Sequence, residues 1–123
     1  MIRILWLCSL LLLPVYGLAD DGEARERFIV HLETGPAWDP ALPPGEQDRF
    51  AEHSANMKRL RDEGAIVFGA RYSDYGLLII ESDSVDAVRA ELEADPGVAA
   101  GIFVFRVDPI SVFYSWRPPA APE

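Results

Sequence analysis

The sequence predicts one α+β domain whose elements follow the order β-α-β-β-α-β. The length of 123 residues suits a single domain, and a domain of that size buries roughly 60–70% of its unfolded surface. Apolar residues alternate along four segments and recur at helical spacing in two segments between them. This order predicts an antiparallel sheet with both helices on one face.

The first 19 residues have the pattern of a secretory signal. Arg3 precedes an apolar run that ends in small residues at Ala19. A retained membrane anchor is the competing interpretation, but the 16 residues of the run and its flank are fewer than the ~20 that a spanning helix needs. Cys8, the only cysteine, lies inside this run, so the mature chain would have neither disulfides nor thiol chemistry. We expect a secreted or periplasmic protein of the bacterial type, without membrane contact after cleavage.

The folded domain is expected over residues 28–116, between a flexible leader over residues 20–27 and a proline-rich tail over residues 117–123. The first strand begins at Phe28 and places alternate side chains on opposite faces. Residues 34–45 contain four prolines and two glycines, which predicts a long loop. Trp38 in this loop is expected to pack on its own domain or on a neighbouring subunit.

Residues 46–63 lack proline and glycine and are followed by Gly64, which predicts a helix with a glycine after its end. At 100° per residue, one arc of this helix faces the sheet. That arc carries a histidine among apolar residues, namely Phe50, His53, Met57 and Leu60.

Two apolar runs over residues 65–71 and 76–81 flank Tyr72-Ser73-Asp74-Tyr75 and predict a β-hairpin. Ser84 is a candidate N-cap for a second helix through Ala94, and Asp95-Pro96-Gly97 is expected to end that helix. A fourth strand is predicted over residues 102–107. Residues 111–116 could add a fifth strand at an edge.

Both faces of the predicted third and fourth strands are apolar. The helices can cover only one face of the sheet, so we expect a second copy of the chain to cover the other and form a homodimer. The residues on the two faces are Leu77, Ile79, Phe103 and Phe105 against Leu78, Ile80, Ile102 and Val104.

A series of motifs runs along the chain from Gly35 onward. They are Gly35-Pro36-Ala37-Trp38-Asp39-Pro40, Gln47, His53, Met57, Leu60, Gly64, Gly69, Asp74, Asp95-Pro96, Gly101 and Pro109. Their order resembles the YciI-like (YCII-related) family over residues 28–114. The resemblance implies a ferredoxin-like fold, pairing as a dimeric α+β barrel, and an acid–base dyad at the positions of His53 and Asp74. Gly69-Ala70-Arg71 departs from the family's Gly-Gly-Pro at that place.

His53 and Asp74 are the candidate catalytic residues. An imidazole exchanges a proton near neutral pH, and the resemblance implies that Asp74 fixes its tautomer. Arg71 could receive a carboxylate or enolate, while Trp38 and Tyr72 are candidate substrate-binding residues. The structural alternative is that His53 bonds a backbone carbonyl and that Asp74 caps its own turn.

Several function classes are disfavoured by composition and motif content. The formal net charge is −9, and a nucleic-acid binder would need a basic patch. No glycine-rich phosphate loop, serine elbow or cysteine nucleophile is present, so no cofactor is expected. His31 and His53 lack the spacing of a metal site. We expect a cofactor-independent lyase or isomerase acting on a small molecule; the alternative is a non-catalytic small-molecule-binding or structural dimer.

Overall fold

The computed structural model describes residues 25–115 as one antiparallel sheet with helices packed against it. A short 3-10 turn spans Pro44–Glu46. The strands are β1 (Glu26–Thr34), β2 (Ile66–Tyr72), β3 (Tyr75–Ser82) and β4 (Phe103–Pro109), and the helices are α1 (Phe50–Asp62), α2 (Val85–Glu93) and α3 (Pro96–Ala99).

The strands lie in the order β2-β3-β1-β4, and every neighbouring pair is antiparallel. Each helical connection therefore skips one strand, because α1 joins β1 to β2 across β3, and α2 with α3 joins β3 to β4 across β1. The α+β class and the antiparallel sheet are confirmed, and this arrangement is compatible with a ferredoxin-like fold.

The hydrophobic core lies between the helices and one face of the sheet. Phe28, Val30 and Leu32 are buried on this face of β1, as the alternation predicts. Leu60 of α1 and Leu92 of α2 reach the same core from the helix side. Ile29, His31 and Glu33 occupy the opposite face of β1, which no described element covers.

The observed strand ends lie within two residues of the predicted ones, whereas the start of α1 shifts by four residues. The first strand begins at Glu26, two residues inside the predicted leader. Helix α1 begins at Phe50 rather than at residue 46, because Gln47 takes an extended conformation after the 3-10 turn. The hairpin turn is only two residues long, and Ser73 adopts a φ of 49° there.

Asp95-Pro96-Gly97 does more than end a helix. It was predicted as a stop signal, and α2 does end just before it, but Asp95 is also the N-cap of α3. Its side chain accepts hydrogen bonds from the backbone N–H groups of Gly97 and Val98. Proline suits the first position of a helix and aspartate suits the N-cap, so the same three residues start the next helix.

The chain beyond β4 does not form the fifth strand considered above, at least through residue 115. Phe113 and Tyr114 are 88% and 94% exposed, and residues 110–115 contain no strand. The predicted signal over residues 1–19, most of the leader and the tail over residues 117–123 lie outside the described residues. Within residues 25–115, no helix is long and apolar enough to cross a membrane.

The proline-rich loop after β1 is held against the start of β4. The backbone N–H of Gly35 donates to Ile102 O at 2.8 Å, and that of Ala37 donates to Gly101 O at 3.0 Å. A Cβ atom at Gly35 would lie 2.2 Å from the Gly101 carbonyl oxygen, so only glycine permits this approach. The contact positions Trp38 above Phe103.

Candidate active site

A cavity of about 480 Å³ lies between the proline-rich loop, α1 and the ends of β1, β3 and β4. Its lining includes four of the five predicted site residues, namely Trp38, His53, Arg71 and Asp74. The structure therefore brings these four residues to one cavity, although they come from three separate parts of the chain.

His53 is 8% exposed and lies on the face of α1 that meets the sheet, as the helical spacing predicts. Its Nδ1 lies 2.7 Å from Asp95 Oδ2. The expectation that Asp74 is the hydrogen-bonding partner of His53 is therefore wrong. The α2–α3 junction, and not the hairpin turn, brings a carboxylate beneath the ring.

Asp95 is completely buried and fully hydrogen-bonded. Its Oδ2 also accepts from the N–H groups of Gly97 at 3.0 Å and Val98 at 3.1 Å, and its Oδ1 accepts from Asn56 Nδ2 at 2.8 Å. Burial acts to raise the pKa of Asp95, but the hydrogen bonds from His53, Asn56 and Val98 hold it below the usual value. The carboxyl group is thus ionised at neutral pH.

An ionised carboxylate only accepts hydrogen bonds, so His53 must carry its proton on Nδ1 and donate it to Asp95. In the neutral ring this leaves a lone pair on Nε2. His53 Nε2 makes no hydrogen bond to any described residue, and no buried side-chain nitrogen or oxygen in residues 25–115 lacks a partner. Nε2 therefore keeps some accessible surface, and the His53 residue lines the cavity.

Aromatic rings form the wall around His53. The Phe103 ring centroid lies 4.5 Å from that of His53 and 5.7 Å from that of Trp38. Phe50 lies 6.2 Å from Phe103 and 6.1 Å from His53. Trp38 thus packs on its own domain, which was one of the two placements considered from the sequence. The wall suits a small ligand with a flat or apolar part.

Arg71 and Asp74 supply charge at the hairpin end of the cavity. Neither side chain makes a hydrogen bond or ion pair with another residue in the described part of the chain, although both line the cavity. Asp74 therefore does not cap its own turn, which was the structural alternative. An unpaired guanidinium at this place can receive an anionic group of a ligand.

Tyr72, the fifth predicted site residue, does not line this cavity. Its hydroxyl lies 2.8 Å from His31 Nδ1, on the sheet face opposite the helices. His31 Nε2 lies 2.9 Å from Glu33 Oε1. Because the carboxylate is an acceptor, Nε2 carries the proton and Nδ1 accepts from Tyr72. Tyr75, which lies across the turn, lines the cavity instead.

Gln47 secures the loop that carries Trp38. It is 5% exposed, its amide nitrogen donates to Asp39 O at 2.6 Å and to Leu42 O at 3.0 Å, and its amide oxygen accepts from Asp39 N. Gln47 therefore supports the site through the loop backbone, because all three bonds are made to main-chain atoms.

Asp95 and Asn56 are the residues that sequence reasoning missed. Asn56 lies one helical turn after His53, and two polar residues at that spacing share a helix face. This pattern was a signal for a shared polar partner. Asp95 was identified as part of a helix stop and of the motif order, and nothing local in the sequence connects it to His53.

Within residues 25–115, no cluster of three or more His, Cys, Asp or Glu side chains is arranged to hold a metal ion. Neither a scan of protein-family models nor a search of curated proteins gives a match to this chain. The physical case for a function therefore rests on the cavity and its side chains.

Proposed function

We propose that His53 acts as a general base and acid on a small molecule bound in this cavity, in a cofactor-independent reaction of the isomerase or lyase type. One observation carries the proposal. The His53 ring is oriented by a buried, ionised carboxylate, while its other nitrogen is unbonded and accessible and the residue lines an aromatic-walled cavity. That is the arrangement a general base requires.

The chemistry follows from the positions of the charges. His53 Nε2 takes a proton from a carbon next to a carbonyl group, and the imidazolium formed is stabilised by Asp95, which stays ionised. Arg71 offsets the negative charge that develops on the carbonyl oxygen. The proton then returns to a different carbon in an isomerisation, or a leaving group departs in an elimination.

The proposal extends to family, assembly and location. The motif order from Gly35 to Pro109 supports membership of the YciI-like family. The uncovered apolar sheet face supports a homodimer of the α+β-barrel type. The signal-like segment over residues 1–19 supports export to the periplasm or the medium.

Deuterium exchange tests the catalytic proposal without knowledge of the product. The protein is incubated in D₂O with a panel of 2-oxo acids and 3-oxo acids, and NMR follows the loss of the α-proton signal. We expect exchange above the buffer rate for at least one compound, and loss of that excess in His53→Gln. His31→Gln is the matched control because His31 lies on the other sheet face. Equal rates in all three proteins would contradict the proposal.

The rival function is a non-catalytic binding or structural dimer, and the Asp95 network favours it. Both carboxylate oxygens of Asp95 and the Nδ1 atom of His53 have partners in that network, so the network can serve as a satisfied polar part of the core. This function predicts that His53→Gln lowers stability and leaves ligand affinity as it is in the wild-type protein. All exchange rates would stay at the buffer background.

A further inference from the structure

We propose that the groove between α1 and β2 binds a dissolved anion that carries one apolar chain, such as a medium-chain carboxylate. The α1–β2 groove is defined by Met57, Lys58 and Arg61 on the helix and by Ile66–Gly69 on the strand, and its volume is about 570 Å³. The proposal rests on the proposed function in one respect, since the groove would hold the tail of a substrate whose head reaches His53.

The groove is open because β2 presents little bulk toward α1. Gly69 pairs with Leu78, and Leu78 pairs with the buried Val30, so all three residues share the helix-covered face. Gly69 has no side chain to fill the space beside Leu78. A Cβ atom there would meet only Leu78 Cδ2, at 3.5 Å. Met57 and Leu78 are half-buried and give the floor an apolar surface.

The charges at the groove favour an anion. Lys58 and Arg61 line it, and no carboxylate does. This is notable in a chain of net charge −9. By contrast, the cavity between α1, β3 and α2 is lined by four acidic residues, Glu63, Glu81, Asp83 and Glu91.

Asp62 competes for both cations from outside the groove. Its carboxylate contacts Lys58 Nζ and lies 3.2 Å from Arg61 Nη2. All three side chains are about half exposed or more, and exposed ion pairs of this kind contribute little stability. A ligand carboxylate that also buries an apolar chain can therefore take one of these cations from Asp62.

The groove and the candidate active site meet at His53. Phe50 and His53 line both spaces. A ligand lying in the groove with its anionic end at Lys58 and Arg61 would direct its other end toward the His53 ring. The preferred substrate class is therefore a carbonyl compound that carries an apolar chain with a terminal anion.

Decanoate is the probe for the α1–β2 groove, and decanol is its uncharged match. We expect calorimetry to show decanoate binding that weakens as salt is added and exceeds decanol binding. Replacing Lys58 and Arg61 by Gln should weaken the affinity about fivefold for each cation. Arg106→Gln, which removes an exposed cation from the opposite sheet face, should leave the affinity unchanged.

Two further variants separate binding from folding damage. Asp62→Asn should tighten decanoate binding, because it removes the competing carboxylate, and a misfolded protein would not bind better. Gly69→Leu should abolish binding with the circular dichroism spectrum unchanged, since its side chain fills the groove.

Three results would overturn the proposal: no decanoate binding, equal affinity for decanoate and decanol, or an affinity that does not change when Lys58, Arg61 and Asp62 are replaced. Binding only to phosphatidylglycerol vesicles would also overturn it. So would a sedimentation dimer that Gly69→Leu dissociates, because that would show that a second copy occupies the groove. Decanoate binding that persists in His53→Gln supports the groove even where deuterium exchange fails, so the two proposals can fail separately.

Discussion

The carboxylate of Asp95 serves two purposes at once. It caps α3 through the N–H groups of Gly97 and Val98, and it fixes the proton of His53 on Nδ1. The first role stabilises the fold, and the second leaves Nε2 free for chemistry. The cost of burying this charge is offset by four hydrogen bonds, so removal of the charge affects stability and site geometry together.

Acid should expose the contribution of Asp95 to stability. Its pKa is lowered in the folded state, so the unfolded chain binds the proton more tightly and protons favour unfolding. The stabilisation is present above the ordinary pKa of 3.8 and is lost as the pH falls through the lowered value. Asp95→Asn should be about 1–3 kcal/mol less stable at neutral pH. Its free energy of unfolding should also fall less steeply in acid.

Urea denaturation of both proteins between about pH 6 and pH 3 measures this difference. The other acidic groups are common to both proteins and cancel in the comparison. Parallel pH profiles would contradict an ionised, stabilising Asp95.

Gly97 should be as important to the site as the residues that carry charge. A Cβ atom there would lie 3.0 Å from His53 Cβ, 3.1 Å from His53 Cγ and 3.1 Å from Phe103 Cδ2. Gly97→Ala should therefore displace the His53 ring and lower the free energy of unfolding by about 1–3 kcal/mol.

Gly45→Ala is the matched control, because a Cβ atom at Gly45 meets nothing within 4 Å. It should change the free energy of unfolding by less than about 0.5 kcal/mol. Thermal denaturation and the ring ¹⁵N shifts of His53 measure the two effects. Equal behaviour of the two alanine variants would show that the close approach of α3 to His53 is not constraining.

At the candidate site, the local sequence pattern predicts the placement of His53 but not the partner of its ring. Helical spacing placed His53 toward the sheet, because burial on a helix follows from its period alone. Its partner lies 42 positions away in a segment whose local pattern indicates only a stop. The resemblance led instead to Asp74, which shares the cavity but not the hydrogen bond. Tertiary packing decides which carboxylate contacts the ring, and a local sequence pattern carries no information about that packing.

At the scale of elements, residues that cap or end helices explain the end of α1 and the start of α2. Gly64 follows α1 with a φ of 80°, and Ser84 precedes α2 as predicted. The misplaced start of α1 has a physical cause, since Gln47 bonds the loop backbone and stays outside the helix. The predicted edge strand after β4 did not form within the described residues. An apolar run is therefore not enough to add a strand here, although β4 lies at an edge of the sheet and one of its sides pairs with no described strand.

The cap of α2 gives a test at this scale. Ser84 Oγ accepts from the N–H of Ala87 at 3.1 Å, so Ser84→Ala should lower the free energy of unfolding by about 1 kcal/mol. Ser84→Asp should restore most of the stability, because aspartate is also a good N-cap and suits the positive end of a helix. Urea denaturation distinguishes the two variants. A stable alanine variant would show that tertiary packing alone holds α2.

For the whole molecule, the sheet face that no described element covers is the feature that supports the proposed homodimer. Ile29, Leu77 and Ile79 lie along its centre, and Phe68 and Val104 are 40% and 45% exposed on its flanking strands. The register places these five side chains on one face. An apolar face of this kind on a small domain indicates an association surface.

The wild-type protein should therefore sediment as a dimer in analytical ultracentrifugation. Phe68→Lys and Val104→Lys should each raise the dimer dissociation constant at least about tenfold, because each buries a charge at the interface. Leu42→Lys is the control, since Leu42 is similarly exposed at 39% but lies in the loop after Trp38. A wild-type monomer at micromolar concentration would contradict the proposed assembly.

Because Asp95 bonds both the His53 ring and the first turn of α3, two backbone amides can report on the state of that ring. Any ligand that draws the Nδ1 proton of His53 away from Asp95, or presses it closer, changes how strongly Asp95 Oδ2 holds the Gly97 and Val98 amides. Their hydrogen-exchange rates should therefore respond to an occupied cavity even when the ligand is silent in every spectrum. A search for a ligand of this cavity can thus begin by measuring hydrogen exchange at the Gly97 and Val98 amides.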